Sequence, residues 1–340
     1  MNSAEGNPLG TSGGPHGGNS PGSPHLPTQP HPNVHVTGRA TPTGDIRDSV
    51  EELLFRSTRQ QSFEGTAPMA RPRLSDQLVL KVASQLTDRD RYLCDLLYEH
   101  KVLTTNQLCD AAFNSLITAR HRLARLHDLR VLDRFQPLRP IGSSPHHWVL
   151  DELGAAIVAA NRGVEPRELA WRRGRALALA TSQRLDHLVG ANGCFTGLLR
   201  TGRHQPNARL VRWCSERRCL AEWDGLVRPD GYGIWVEDGA RVGFFLEYDR
   251  GTEPLDRLAA KLGGYQELTE VEPDPVLVLF ALPGHRREAG VRRALSTQAA
   301  PDTVVATGVL PSGRTIADAI WLPLGVSDSR RRLRELATTR

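Results

Sequence analysis

The chain is poor in lysine. Of its 43 basic residues only Lys81, Lys101 and Lys261 are lysines, and the other 40 are arginine. Cysteine is also sparse. Cys94, Cys109, Cys194, Cys214 and Cys219 are odd in number and lack CxxC spacing. That argues against a disulfide framework and a zinc ribbon, and a reducing cytoplasm is expected. No apolar run reaches the roughly 18 residues needed to cross a bilayer. The first residues carry neither a charged n-region nor an apolar h-region, so neither a membrane span nor a secretory signal is expected. The phosphate-cradling pattern GxxxxGK followed by Ser or Thr is missing, as is a strand-linked GxGxxG. A nucleotide cofactor therefore has no support. His146 and His147 are adjacent, whereas two metal ligands on one strand face need a residue between them.

What is present is a strong charge polarity. The net charge is only +5 over 340 residues. Residues 163–221 nevertheless carry +7, residues 222–282 carry −8 and residues 283–340 carry +5. An acidic island lies between two arginine-rich stretches. Residues 1–45, rich in Gly, Pro, Ser, Thr and His, cannot bury enough apolar surface to offset their ordering entropy, and a disordered low-complexity tail is expected there. Residues 46–85 read as a linker with a short helix over Ile46–Phe55.

Order is expected from Leu86. Thr87 can cap a helix with a Leu93, Leu96, Leu97 stripe, and Thr104 with Gln107 has capping-box spacing for a second. Asn114-Ser115 opens a third, on which Leu116, Ala119, Leu123 and Leu126 share a face. Val131-Leu132 and Trp148–Leu150 read as strands joined by a Pro- and Gly-rich loop, and a helix over Asp151–Asn161 closes the unit. This order is that of a winged helix-turn-helix over residues 86–162.

At about 100° per residue the inward stripe leaves Thr118, His121 and Arg125 facing outward, with Arg122 flanking them. Arg130, Arg134 and Arg139 follow in the wing. Arginine donates bidentately to phosphates and guanine edges, so these positions are candidate contacts to double-stranded DNA. A winged-helix protein–protein module with a solvated basic face is the alternative. The concentration of charge on the third helix and wing favours DNA. Residues 163–208 form a basic connector, helical over Arg175–Leu199.

The acidic island has a definite geometry. Two strand-like runs flank Asp238-Gly239, a strong hairpin signal. With a two-residue turn there, Glu237 faces Ala240 and, counting outward, Asp230 faces Glu247. Opposed side chains share a face with Cβ atoms about 5 Å apart. Alternation adds Asp249 to that face and turns Phe244, Leu246 and Tyr248 to the other. Three carboxylates so placed repel unless a cation lies among them. Mg²⁺ or Mn²⁺ held by Asp230, Glu247 and Asp249 is one answer, and neutralisation by Arg228 or Arg250 is the other. A bulge at Gly231 or Gly233 would shift the register by one.

Pro229-Asp230, then a strand ending Glu247-Tyr248-Asp249 and a following helix, resembles the PD-(D/E)XK nuclease core. The resemblance implies a metal-dependent endonuclease site with catalytic Asp230, Glu247 and Asp249. Asp249 stands where the motif has lysine. Some members supply that lysine from a neighbouring helix, and Lys261 flanks the buried Leu255, Leu258, Leu262, Tyr265 stripe of the next one.

The whole arrangement, with Leu-Thr-Thr-Asn-Gln-Leu in the first unit and Phe-Leu-Glu-Tyr-Asp-Arg-Gly-Thr in the second, resembles the actinobacterial replication-relaxation family over residues 86–325. That resemblance implies a plasmid or integrative-element context and replication or transfer proteins as partners. The remaining elements are a strand over Pro275–Leu282, a helix over His285–Leu295 carrying Arg286, Arg287, Arg292 and Arg293, and strands at Val304–Ala306 and Ile320–Leu322. The expected fold is α+β, a winged helix-turn-helix followed by a restriction-endonuclease-like α/β sheet domain over 209–325, with a frayed basic tail over 326–340. Two functions stand: a DNA-nicking or -cleaving protein, and a non-catalytic DNA-binding accessory or transcriptional regulator that keeps a degenerate nuclease fold.

Overall fold

The computed structural model describes residues 74–138, 142–272, 275–298, 303–325 and 329–337. The tail over 1–45, the short helix over Ile46–Phe55 and Arg139 lie outside them. The described residues fall in one unit, Pro72–Arg340.

The helical part begins earlier than its sequence suggests. Within the expected linker, α1 (Asp76–Ala83) is capped by Ser75, whose side chain accepts the Leu78 N–H. Leu78, Val79 and Val82 give it an apolar stripe that packs on the first core, which is why the segment folds. Next come α2 (Asp88–His100) and α3 (Thr105–Ala112), each opened by a complete capping box, Thr87 with Asp90 and Thr104 with Gln107. Ser115 caps α4 (Leu116–Asp128), whose buried residues are Ala119, Leu123 and Leu126. Strands β1 (Leu103–Thr104), β2 (Leu132–Phe135) and β3 (His147–Leu150) form a small antiparallel sheet in the order β1-β3-β2. After it, α5 (Glu152–Arg162) runs from the Asp151 cap to Gly163, where a left-handed φ of 66° suits glycine.

The connector is not one helix. α6 (Arg173–Leu177) and a 3-10 turn over Ala178–Thr181 precede α7 (Leu185–His204). The break falls at Ser182, whose backbone is extended and whose hydroxyl accepts the Arg184 N–H at 3.2 Å. A serine side chain that bonds its own neighbourhood competes with helix continuation. After the connector comes a strand that the sequence hides, β4 (Ala208–Ser215), followed by α8 (Glu216–Glu222).

A six-stranded mixed sheet is built from β4, β5 (Gly231–Glu237), β6 (Ala240–Tyr248), β7 (Val276–Leu282), β8 (Thr303–Val309) and β9 (Trp321–Pro323), in that spatial order. The β6–β7 and β7–β8 pairs are parallel and the others antiparallel. α9 (Leu255–Ala260) and α10 (Leu262–Val271) connect β6 to β7, and α11 (His285–Ser296) connects β7 to β8. Phe195 and Leu198 of α7 join Phe244, Leu246, Leu279 and Trp321 in one core. Leu258, Tyr265 and Val291 of α9, α10 and α11 join Phe245, Val278 and Phe280 in another. The chain is thus α+β with a mixed sheet covered on both faces.

The β5–β6 hairpin turns at Asp238-Gly239, with φ of 52° and 83°. Positive φ at both positions matches the primed turn that Asp-Gly favours. Its ladder runs in register from Glu237↔Ala240 to Gly231↔Leu246. The irregularity lies instead in the β4–β5 pairing, between Leu210 and Arg212. Gly233 is needed for close packing, since a Cβ there would sit 2.6 Å from the Phe244 ring and 2.9 Å from that of Phe195.

The last described segment is not a frayed basic tail. Arg331 bridges to Trp321, and a 3-10 turn over Leu333–Leu336 buries both of its leucines. Arg330 bonds Glu288, Arg332 bonds Glu237 at 2.8 Å and Arg334 bonds Asp238. Acidic groups on the sheet and α11 hold these arginines down.

Candidate active site at the sheet edge

Asp230 precedes β5, and Glu247 is the penultimate residue of β6. Both therefore sit at the carboxyl end of the parallel β6–β7 pair, the edge at which open α/β sheets bind ligands. Asp230 donates its N–H to the Leu246 carbonyl at 3.0 Å, and its carboxylate accepts the Tyr248 N–H at 2.8 Å. Glu247 is 3% exposed, and its two oxygens accept the Tyr265 hydroxyl at 2.6 Å and the Lys261 ammonium at 2.9 Å. Lys261 lies at the junction of α9 and α10 and also reaches Glu253 at 3.1 Å. Glu247 and the scarce lysine thus meet, and Asp230 lies near enough to disfavour the Glu247 charge. Glu253 and Tyr265 complete the surroundings of that lysine and of Glu247.

Burial is the main cause that pushes the Glu247 carboxyl up, to about 7, and the nearby Asp230 carboxylate adds to it. Lys261 and Tyr265 act in the other direction. Burial works against the Lys261 charge, yet Glu247 and Glu253 raise its affinity for the proton above the usual lysine value. The two shifts oppose each other, because the carboxylate that burial pushes toward neutrality also keeps the ammonium charged. The Lys261 direction is the firmer, since two carboxylates lie within 3.1 Å of its nitrogen. Lys261 is a fixed cation. Burial first, and then Glu247, raises Tyr265, which remains a neutral donor.

Asp249 does not join them. Its carboxylate accepts Arg287 Nε at 2.6 Å and the Gly251 N–H at 2.8 Å. The expected convergence of three carboxylates becomes two plus one, because α11 brings an arginine that β-strand alternation could not reveal. Among the described residues, no three or more His, Cys, Asp or Glu side chains are grouped to hold a metal ion. Arg228 and Arg250 do not neutralise the site either. They pair with Glu216 and Asp186.

Sequence reasoning missed His187. Its Nε2 lies 2.7 Å from an Asp230 oxygen, and its ring packs edge-on against Tyr248 with centroids 5.7 Å apart. That bond to Asp230 raises the ring's affinity for its proton, against the effect of burial. The residue falls in a segment read as connector, 43 positions before its partner, so no local spacing marks it.

On α4, Thr118, His121 and Arg125 are exposed, as is Arg134 on β2, where its guanidinium lies 5.6 Å from the Trp148 ring centre. Arg122 and Arg130 depart from the expected surface. Arg122 bonds buried Asp90 through both Nε and a terminal nitrogen, and Arg130 pairs with Glu152 at 2.8 Å. Both are drawn to carboxylates of neighbouring helices. Within the basic α11, Arg292 bonds the Leu322 and Pro323 carbonyls, while Arg286 and Arg293 are exposed.

The parts now in place are a helical unit with a small sheet, a mixed sheet, and a two-carboxylate, one-lysine site at its edge. A family model described as replication-relaxation matches residues 95–274, more than half of the chain and a span that includes α4, Asp230, Glu247 and Lys261. The chain belongs to the replication-relaxation family. The match is shorter than the resemblance over 86–325 and stops before α11. No curated protein and no solved structure matches the chain. Among the described residues no helix is long and apolar enough to cross a membrane.

Proposed function

We propose that this protein binds double-stranded DNA and nicks or cleaves it with a divalent metal ion, in the replication or relaxation of a plasmid or integrative element. In this reading α2, α3, α4 and the β1-β3-β2 sheet act as a winged helix-turn-helix, with α4 presenting Thr118, His121 and Arg125 to the DNA. Plasmid replication or transfer proteins are its expected partners, and the cytoplasm its compartment. The observation that carries the catalytic part is the meeting of Asp230, Glu247 and Lys261 at one sheet edge, with 2.9 Å between lysine and glutamate.

The donor set suits Mg²⁺ or Mn²⁺, hard ions that take one or two carboxylates and keep several waters. Two carboxylates close enough for Asp230 to disfavour the charge on Glu247 gain from a cation between them. Asp230 and Glu247 would hold the ion, which would supply activation of water and offset charge on the scissile phosphate. The other roles belong to the chain. Lys261, held charged by Glu247 and Glu253, presents a compact ammonium to water or a phosphate oxygen. Tyr265 fixes one Glu247 oxygen from the buried side. Arg287 holds Asp249 away from the pair.

A second reading has its own support. Each oxygen of Asp230 and Glu247 already accepts a protein donor, as in a site kept for structure. The protein would then be a DNA-binding accessory or regulator. Nicking of supercoiled plasmid with Mg²⁺ or Mn²⁺ separates the two. The wild-type protein should convert plasmid to the open circular form, and Asp230→Asn, Glu247→Gln and Lys261→Met should each lose at least about 100-fold, the cost of removing one preorganised stabilising group. Equal background in all four proteins would leave only the accessory reading.

A further inference from the structure

We propose that His187 is a positioning residue of this site, whose Nε2–H sets the Asp230 carboxylate in the orientation that receives the metal ion. The inference rests on the metal-dependent reading above.

Asp230 needs such support. It lies outside the β5 ladder and is tied to the sheet by a single backbone bond, its N–H to the Leu246 carbonyl. Two donors from different elements hold its carboxylate. The Tyr248 N–H, fixed at the end of β6, takes one oxygen at 2.8 Å, and His187 Nε2 takes the other at 2.7 Å. A carboxylate only accepts, so Nε2 carries the hydrogen whichever state the ring is in. Each oxygen retains a further lone pair for a cation.

The ring is itself held. Tyr248 packs against it, and Gly190, one helical turn along, lies so close to the Tyr248 ring that a Cβ there would sit 2.3 Å away. α7 in turn is anchored to the helical part. Gln107 donates to the Val189 carbonyl at 2.6 Å, and Asn192 donates to the Val102 carbonyl at 2.9 Å. The backbone that carries His187 is therefore fixed against the helical part, and the site draws one of its supports from outside the sheet. Hydrogen-bonded outer partners of metal-binding groups are commonly worth about 10–100-fold in metal affinity or activity.

The test uses the full chain and Mn²⁺ alone as probe, with binding read from the electron paramagnetic resonance signal of free Mn²⁺. His187→Ala should weaken Mn²⁺ binding about 10–100-fold. The plasmid-nicking curve should move to higher Mn²⁺ by the same factor, with its plateau within a few-fold of wild type. His187→Gln, which keeps an N–H donor, should recover most of the loss, whereas His187→Leu, which fills space without donating, should not. Equal Mn²⁺ affinity in His187→Ala and wild type, with Asp230→Asn losing it, would overturn the positioning role and leave the metal reading intact. Equal losses in His187→Gln and His187→Leu, with unchanged urea unfolding, would also overturn it. A wild-type protein that binds no Mn²⁺ would overturn the metal reading itself.

Discussion

Asp90 shows how much one buried carboxylate can do. It closes the capping box of α2 with Thr87 and at the same time accepts Arg122 from α4, across 32 residues. Burial pushes its pKa up, but the bonds from Arg122 and Thr87 prevail and hold it below the ordinary aspartate value. A carboxyl that protonates less readily when folded stabilises the fold above its unfolded pKa, about 3.9, and loses that contribution as pH falls toward the folded value. Asp90→Asn should therefore cost about 2–3 kcal/mol at neutral pH, somewhat below the usual cost of breaking a buried pair because Arg122 is partly exposed. It should also flatten the fall of stability below about pH 4. Urea unfolding between pH 3 and 7 measures both, and an unchanged acid limb would show that Asp90 does not carry the effect. The sequence shows Asp90 as one of two acids after a cap. Its bond to Arg122 is decided by how α2 and α4 cross.

At the scale of elements, local signals were legible where neighbours along the chain settle the matter. Thr87, Thr104, Ser115 and Asp151 cap the helices that their positions announce. Asp238-Gly239 sets the register that the β5–β6 ladder follows from Glu237↔Ala240 to Gly231↔Leu246. β4, α1 and the break in the connector were not legible. β4 is an edge strand with a register shift, so its apolar residues do not alternate cleanly. α1 lies in a stretch that reads as linker, and the connector breaks at a serine that a periodicity count passes over. The exposed face of α4 also divides differently once its partners are known. Arg125→Ala and Arg134→Ala should each weaken DNA binding and reduce the slope of log affinity against log salt by about one. Arg122→Ala should chiefly lower stability, since its guanidinium serves Asp90. Fluorescence anisotropy across a salt series, beside urea unfolding, distinguishes these outcomes. A full salt slope in Arg125→Ala would remove that residue from the interface.

Across the whole molecule, arginines draw the chain's remote parts together. Arg330 crosses 42 residues to Glu288, which is 3% exposed, and also bonds the Ile320 carbonyl. Arg330→Ala leaves Glu288 with only Thr307 and His285 as donors. It should cost about 3 kcal/mol, read as a lower urea midpoint with unchanged slope. A loss below about 0.5 kcal/mol would show that the last segment is held without the Arg330–Glu288 pair. By itself the sequence determined the caps, the hairpin turn and its register, and the oddity of Lys261 among arginines. Each of these follows from the period of a strand or helix, or from the φ that a turn residue accepts. Only the tertiary structure decided that His187 supports Asp230, that Arg287 takes Asp249 out of the site, and that Arg122 serves the fold. Those choices depend on where α4, α7 and α11 come to rest, and packing of side chains far apart in the chain sets that, with no spacing to record it.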